Sequence, residues 1–217
     1  MEQYINKIIH ADCIDILKQL PDKCIDLVLT DPPYGIGEAN GKNASRSKLA
    51  LAKDYGKKDW DNKIPDKEIF EQIKRISKTQ IIFGGNYFIE FLNNSPCWIV
   101  WDKNNTGDFA DCELAWTNFK SAVRKYKWTW NGMLQEDMKN KDIRIHPTQK
   151  PLKLFEMILR DYSNENDLVL DCFSGSGTTA VACHNLKRNF ICIEKDYNYW
   201  KASVERLENA KAQLKLF

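Results

Sequence analysis

The chain alternates between short apolar runs and segments whose apolar residues have helical spacing. Short apolar runs bounded by turn residues are typical of strands buried in a sheet. Seven such runs predict strands: Lys7–His10, Ile25–Thr30, Gln80–Gly84, Cys97–Asp102, Cys112–Thr117, Leu168–Asp171 and Phe190–Glu194.

Two segments carry helical spacing. One follows Pro65 and places apolar residues on one face: Ile69, Phe70, Ile73 and Ile76. The other lies near the end of the sequence, with its apolar face formed by Tyr197, Trp200, Val204, Leu207 and Leu214. Strands that alternate with helices predict an α/β fold, in which helices cover a sheet. The stretch 36–63 and much of 103–150 lack clear periodicity and are predicted to be long loops, which in a compact domain are usually functional or mobile.

A glycine-containing turn follows the strand Leu168–Asp171. It reads Cys-Phe-Ser-Gly-Ser-Gly-Thr-Thr and leads into an apolar helical stretch, and the next strand ends in Glu194. Glycines allow a ligand to approach the backbone, and a helix N-terminus offers free N–H groups to an anion. An acid that ends the next strand is well placed to accept hydrogen bonds from ribose hydroxyls. This arrangement favours a nucleoside-containing cofactor over a purely structural turn, and the lack of a G-x-G-x-x-G or Walker pattern favours a carboxylate over a phosphate.

A second turn follows the strand Ile25–Thr30 and reads Asp31-Pro32-Pro33-Tyr34-Gly35. Prolines lack N–H groups, so this tip presents carbonyl and carboxylate acceptors and few donors. Such a tip suits a ligand that donates hydrogen bonds, for example an exocyclic amine, and the Tyr34 ring offers a face for stacking a base. The alternative is a plain turn with Tyr34 in the core.

The two turns resemble the catalytic and cofactor motifs of S-adenosylmethionine-dependent amino-DNA methyltransferases. The catalytic motif at 30–35 precedes the cofactor motif at 168–194, which is the order of the permuted beta group. Further matches in the family's order lie at His10–Asp12, Phe83–Asn86, Glu113–Trp116 and His146–Leu152. The resemblance implies a single Rossmann-like methyltransferase domain over 1–217. It also implies a mostly parallel seven-stranded sheet, helices on both faces and a circularly permuted motif order.

The resemblance also implies roles for individual residues. The amine of a flipped-out adenine would be bound by the catalytic motif, Asp31, Pro32, Pro33 and Tyr34. S-adenosylmethionine would be held by Asp12, Lys150, Pro151, Asp171, Phe173, Gly175, Gly177, Thr178 and Glu194. Within this set Asp12 is assigned to the adenine, Glu194 to the ribose, and Lys150 and Pro151 to the methionine end. No metal is implied.

Three alternatives to adenine N6 methylation stay open at this point. Asp-Pro-Pro-Tyr is associated with adenine N6, whereas relatives that act on cytosine N4 more often carry Ser-Pro-Pro-Tyr, and the two amines have nearly the same chemistry. A non-catalytic nucleic-acid-binding partner with the same fold is a second alternative. A protein or small-molecule methyltransferase is the third, because the cofactor motif does not depend on the acceptor.

The net charge of +2 does not by itself indicate a nucleic-acid partner. The distribution is uneven: residues 36–58 carry six Lys/Arg against two acids, and residues 120–150 carry eight against three. A charge-rich loop is usually solvated surface, but two such loops beside the proposed base pocket favour contact with phosphates. Phosphate contacts in double-stranded DNA are therefore predicted for Lys42, Arg46, Lys48, Arg124, Lys125 and Lys127. Tyr126, Trp128 and Trp130 are interleaved with these cations, and Trp128 and Trp130 could equally be core residues of a terminal strand.

Seven cysteines form no Cys-x-x-Cys pair and predict reduced thiols instead of disulfides or a zinc site. No apolar run reaches the length of a membrane span, and no signal peptide is visible. We therefore expect a cytoplasmic protein with no membrane association. A homodimer is common in the family that the chain resembles and is left open.

Overall fold

The computed structural model of the chain describes residues 1–37, 61–105, 110–131 and 134–214. The predicted DNA contacts Lys42, Arg46 and Lys48 lie outside these ranges. The described strands are β1 (Lys7–His10), β2 (Ile25–Thr30), β3 (Ser77–Phe83), β4 (Trp98–Asp102), β5 (Cys112–Thr117), β6 (Arg124–Lys127), β7 (Trp130–Asn131), β8 (Leu134–Gln135), β9 (Leu168–Asp171) and β10 (Asn189–Glu194). The described helices are α1 (Cys13–Leu17), α2 (Lys67–Ile76), α3 (Leu152–Tyr162), α4 (Thr178–Asn185) and α5 (Tyr197–Leu214).

Eight strands form one sheet in the order β1-β10-β9-β2-β3-β5-β4-β6, and β7 and β8 form a separate two-stranded ribbon. Five of the seven neighbouring pairs are parallel, and β5 is antiparallel to both of its neighbours. The α/β fold with a mostly parallel sheet is therefore confirmed.

The predicted count of seven strands is wrong, because residues 124–127 add an eighth strand at the edge of the sheet. This strand, β6, pairs in parallel with β4, from Ile99 opposite Arg124 to Asp102 opposite Lys127. Three of its four residues are cations, so it has no apolar run that would mark it as a strand. An edge strand needs only one hydrogen-bonded neighbour and tolerates such side chains.

Helices cover both faces of the sheet, as predicted. Successive residues of each central strand point to opposite faces, so the apolar side chains on each face need a layer of helices to bury them. On one face Leu27 and Leu29 of β2 pack in a core that includes Phe155 of α3, Ala180 of α4 and Leu207 of α5. On the other face the core is formed by residues of β2, β3, α1 and α2, among them Val28, Ile82, Leu17, Phe70 and Ile73. Full burial of each large apolar side chain contributes about 1.5–3 kcal/mol relative to exposure.

The two predicted helices differ in how well their faces were assigned. In α2 the residues Phe70, Ile73 and Ile76 are buried, which confirms the apolar face. In α5 the buried positions are Tyr199, Ser203 and Leu207, while Tyr197 is 55% exposed. Leu207 of the predicted apolar face is in the core and Trp200 and Val204 pack against it, which confirms these positions. The assignment of Tyr197 to this face is wrong, because its side chain at the start of α5 is exposed.

The strand order reverses between β9 and β2, which are neighbours in the middle of the sheet. From this boundary the sheet extends through β10 and β1 on one side and through β3, β5, β4 and β6 on the other. In open α/β sheets ligands bind at such a switch point, at the carboxyl ends of the strands. Both predicted motifs follow the carboxyl ends of these two strands. None of the described helices is long and apolar enough to cross a membrane.

Candidate active site

A buried hydrogen bond joins the two motifs at the switch point. Thr30, the last residue of β2, donates from Oγ1 to Oδ1 of Asp171, the last residue of β9, at 2.7 Å. Thr179 Oγ1 donates to the other carboxylate oxygen at 2.5 Å, and the backbone N–H of Phe173 donates to Oδ1 at 3.1 Å. Burial raises the pKa of Asp171 to about 6, and these hydrogen bonds oppose the rise. Asp171 thus fixes the glycine-containing turn against β2.

The two glycines of the turn, Gly175 and Gly177, are required for different structural reasons. Both have positive φ, +49° at Gly175 and +72° at Gly177. A β-carbon at Gly177 would lie 2.9 Å from Cβ of Ser203, so this glycine allows α5 to pack against the turn. At Gly175 a β-carbon would meet the buried His146 ring at an ordinary 3.6 Å, so only its φ favours glycine there. Sequence reasoning gave His146 no role, and the structure places its ring against the turn.

Two carboxylates lie beside the turn, at the carboxyl ends of β10 and β1. Glu194 accepts hydrogen bonds from the backbone N–H groups of Gly175 and Asp196, each at 2.7 Å, and burial raises its pKa. Asp12 caps α1 by accepting from Ile14 N at 3.3 Å and pairs with Lys195 at 2.7 Å. Burial acts to raise the pKa of Asp12, but the Lys195 and Ile14 contacts outweigh it and the pKa is lowered.

Arg206 is a functional candidate that sequence reasoning missed. From α5 its Nη1 donates to Thr178 Oγ1 at 2.9 Å and to the Ser176 carbonyl at 3.1 Å, at the start of α4. Burial lowers the pKa of this guanidinium. Among the described residues, no carboxylate lies within salt-bridge distance of it. Its position on a helix whose pattern indicated packing alone gave no signal of this contact.

The carboxylate of Asp31 is occupied on both oxygens. Tyr34 donates from its hydroxyl to Oδ1 at 2.6 Å, and the Lys150 ammonium pairs with Oδ2. Burial raises the pKa of Asp31, and the Lys150 ammonium opposes that rise. For Lys150 burial acts to lower the pKa, but Asp31 and Glu113 outweigh it and the pKa is raised. The ammonium therefore faces the catalytic tip, and only the Lys150 carbonyl meets the turn, where it accepts from Thr178 at 3.3 Å.

A second acid, Glu113 of β5, completes this cluster. Its Oε2 is 3.2 Å from Lys150 Nζ, and its Oε1 pairs with Lys103. Burial acts to raise the pKa of Glu113, but the two ammonium groups outweigh it and the pKa is lowered. The sequence indicated Glu113 only as part of a strand-end match, and Lys103 gave no signal, because ion pairs between distant segments leave no local pattern.

The Tyr34 ring is held between neighbouring groups of the turn after β3. It stacks on Tyr87 with a centroid distance of 4.8 Å and an interplanar angle of 12°. It is also partly buried against the core, so part of the alternative reading of Tyr34 is confirmed. The next residue, Gly35, donates from its backbone N–H to Oδ1 of the buried Asp61 at 2.9 Å. Pro32 is buried and Pro33 half-buried.

The predicted DNA contacts Arg124, Lys125 and Lys127 are exposed on β6. Since β6 runs parallel to β4, its carboxyl end lies at the same edge of the sheet as Asp31. The aromatic residues of this region belong to the core: Trp130 is buried, and Trp128 packs against the same cluster. The core assignment is confirmed for Trp130, while Trp128 is only partly buried and its contact with DNA stays a prediction.

The described residues were also compared with the arrangements that metal ions and disulfides require. Across the described ranges no group of three His, Cys, Asp or Glu side chains is arranged to hold a metal ion. The seven cysteines are free thiols, and five of them are buried.

Comparison with known proteins places this arrangement in a family. Residues 103–205 match the profile of a family described as DNA methylase. The type II methyltransferase M.HpaI of Haemophilus parainfluenzae is 30% identical over 94% of this chain and 74% of its own length. The chain belongs to the DNA methylase family. The type II methyltransferase M1.MboII of Moraxella bovis is 28% identical over 90% of this chain and 94% of its own length.

Solved structures of methyltransferases agree with the assignment of this chain to the DNA methylase family. The complex of M1.HpyAVI with SAM has 29% identity and a TM-score of 0.58, covering 93% of this chain and 98% of that one. PvuII DNA methyltransferase, described as cytosine-N4-specific, has 17% identity and a TM-score of 0.61, which supports the fold alone. The DNA methylase is thus an enzyme with a Rossmann-like methyltransferase fold, as the sequence motifs predicted.

Proposed function

We propose that this DNA methylase transfers a methyl group from S-adenosylmethionine to the exocyclic N6 of adenine in double-stranded DNA. The observation that carries the proposal is the Thr30–Asp171 hydrogen bond of 2.7 Å. It joins the strand that ends in the acceptor-rich tip to the strand that ends in the cofactor turn. Two halves of one reaction site therefore meet where the strand order reverses.

The residues beside the turn fit S-adenosylmethionine. Arg206 and the N-terminus of α4 offer positive charge and N–H donors, which suits the carboxylate of the methionine end. Glu194 stands at the end of β10, where ribose hydroxyls need an acceptor, and Asp12 lies on the neighbouring strand end for the adenine. The proposed binding set is completed by Lys150, Pro151, Asp171, Phe173, Gly175, Gly177 and Thr178. When bound, the cofactor supplies an electrophilic methyl group on a sulfonium.

The catalytic tip provides what an amino nitrogen needs in order to react. Its lone pair is delocalised into the base ring, so acceptors that bind the amine hydrogens at Asp31 and at the Pro32 carbonyl draw the nitrogen toward a tetrahedral form. The base leaves the duplex to reach this tip, and Tyr34 stacks on it. Alignment of the reacting atoms accounts for about 7–11 kcal/mol of the barrier in well-oriented reactions.

The remaining expectations are part of this proposal. DNA phosphates contact Arg124, Lys125 and Lys127 on β6, together with Lys42, Arg46 and Lys48 outside the described residues. The chain forms one domain, and its compartment is the cytosol. A homodimer is tested by light scattering at two protein concentrations.

Product analysis tests the proposed reaction. The protein is incubated with methyl-labelled S-adenosylmethionine and mixed-sequence duplex DNA, and the DNA is digested to nucleosides for mass spectrometry. We expect labelled N6-methyladenine from the wild-type protein and none from Asp31→Ala. Label found only in N4-methylcytosine would overturn the base assignment, and unlabelled DNA from a protein that binds the cofactor would overturn the activity.

A further inference from the structure

Both donors that occupy Asp31 have a second acceptor in common. Lys150 Nζ lies 3.2 Å from Oε2 of Glu113, and the Tyr34 hydroxyl lies 3.5 Å from the same oxygen. The opposite oxygen of Glu113 is paired with Lys103. The cluster therefore contains two acids and two lysines, and Glu113 stands at the branch between them.

This geometry matters because both carboxylate oxygens of Asp31 already have a donor before any substrate binds. Tyr34 and Lys150 each hold one oxygen of its carboxylate. Each oxygen keeps a second lone pair, so an amine that binds Asp31 competes with a donor already in place and binds more strongly when that donor moves away. The Lys150 side chain is only 7% exposed, and a buried ammonium that loses its acid without another partner is strongly destabilised.

Glu113 removes that cost, since it already contacts the same ammonium. A short movement of Lys150 away from Asp31 leaves the cation paired with an acid throughout. Lys103 keeps the other oxygen of Glu113 occupied, which directs Oε2 toward Lys150 and Tyr34. The net charge of the cluster is unchanged by the exchange.

We propose that Glu113 is a positioning residue that receives Lys150 from Asp31 when the amine of the target base binds. The inference rests on the proposed function, in which Asp31 accepts hydrogen bonds from that amine. Glu113 does not touch the reacting atoms. It controls whether Asp31 is available to them.

The test measures how much the amine contributes to binding. The target position is first mapped from methylation by the wild-type protein. Two duplexes are then compared, one with adenine at this position and one with purine, which lacks the amine. The Kd of each duplex is measured with S-adenosylhomocysteine bound to the protein. We expect wild-type protein to prefer adenine by about tenfold, the value of one net hydrogen bond. Glu113→Gln keeps the shape but loses the charge, so Lys150 stays on Asp31 and the preference falls close to one.

The matched control is Glu156→Gln. Glu156 is also a partly buried, ion-paired acid, but its partners are Lys153, Arg160 and Asn185. This variant should keep the wild-type preference. Affinity for S-adenosylmethionine should be unchanged in both variants, which separates a positioning role from damage to the fold. A wild-type preference in a folded Glu113→Gln protein would overturn the inference.

Removal of Lys150 gives an independent test that does not require Glu113→Gln to fold. In Lys150→Met the competitor is gone, so the adenine preference should be kept or increased. The double variant Glu113→Gln/Lys150→Met should recover the preference that Glu113→Gln lost. Loss of preference in Lys150→Met, or additive losses in the double variant, would contradict the proposal. If the wild-type protein methylates no adenine, the proposed function is overturned. That outcome differs from those that overturn the role of Glu113, which all concern the preference for adenine over purine.

Discussion

The ring of Tyr34 lies in the space that a side chain at Gly84 would need. A β-carbon at Gly84 would stand 2.1 Å from Cε1 of Tyr34, and its φ of +66° also favours glycine. This contact gives a structural reason for the Phe83–Asn86 match to the family. The close approach of the Gly84 backbone fixes the position of the ring beside Asp31.

Gly84→Ala should therefore displace Tyr34. We expect methylation to fall by at least tenfold while S-adenosylmethionine affinity is retained, and stability to fall by about 1–3 kcal/mol. Calorimetry of cofactor binding, product formation and urea unfolding are the measurements. In a Tyr34→Ala background the ring is absent, so Gly84→Ala should lower the free energy of unfolding only by the cost of its strained backbone. An equal cost in both backgrounds would show that the ring contact is unimportant.

Thr30→Val removes the donor that links β2 to Asp171. The carboxylate is then left with one hydrogen bond fewer in a buried site, which costs about 1–3 kcal/mol of unfolding free energy. Because the turn loses its attachment to β2, cofactor affinity should fall as well. Urea unfolding and a cofactor titration measure both effects. Thr79→Val is a suitable control, since Thr79 donates to the Asp26 carbonyl away from the switch point. Equal cofactor affinities in all three proteins would argue against this link.

The raised pKa of Asp171 predicts a dependence of stability on pH. Its folded pKa of about 6 lies above the value of 3.8 for an ordinary aspartate, so the folded state binds the proton more tightly. The folded state is favoured when this group is protonated, and that advantage is lost as pH rises from about 4 to about 6. Relative to Asp171→Asn, wild-type protein should lose about 3 kcal/mol of unfolding free energy over this window. A difference between the two proteins that does not change with pH would contradict the prediction.

Arg206→Met should weaken cofactor binding with little effect on DNA. The variant loses the positive charge beside Thr178 and Ser176, so we expect Kd for S-adenosylmethionine to rise by about tenfold or more. Arg188→Met is the matched control, because Arg188 also donates to backbone carbonyls, those of Leu186 and Ser163, but away from the turn. The control should lose stability and keep its cofactor affinity. Similar affinity losses in both variants would point to a general packing effect.

The double variant Lys125→Ala/Lys127→Ala should weaken DNA binding in a salt-dependent way. Each phosphate contact contributes about 0.9 to the slope of log K against log salt, so the slope should decrease by about 1.8. Fluorescence anisotropy at several salt concentrations measures it. Lys67→Ala/Lys201→Ala, with exposed lysines on α2 and α5, serves as the charge-matched control. An unchanged slope in the β6 variant would exclude these two lysines from the DNA contact.

Much of the fold was predictable because its strands are buried and apolar. The bounds of β1, β2, β5 and β9 match the predicted runs residue for residue. The central strands are covered on both faces, so a continuous apolar run identifies them. β6 escaped prediction for the opposite reason: it is held by backbone hydrogen bonds to β4, and its side chains are largely cationic and exposed.

The parts of the candidate site that are formed by local backbone turns were predictable from the sequence. The parts that depend on contacts between side chains distant in the sequence were not. The tip at Asp31 and the glycine turn have local signatures in prolines and glycines. The pair of Lys150 and Asp31 joins residues 119 positions apart, and nothing in either segment indicates that ammonium and carboxylate meet. For the same reason the roles of Glu113, Lys103 and Arg206 emerged only from the structure.

The cationic edge strand also limits how two copies of the chain can associate. If two β6 strands paired side by side, Arg124, Lys125 and Lys127 of one copy would lie against the same three cations of the other. Like charges placed directly opposite each other destabilise a strand pair, and cations on an edge strand oppose the joining of two sheets into one. Edge-to-edge assembly through β6 is therefore disfavoured, and this margin of the sheet is left available to a polyanion.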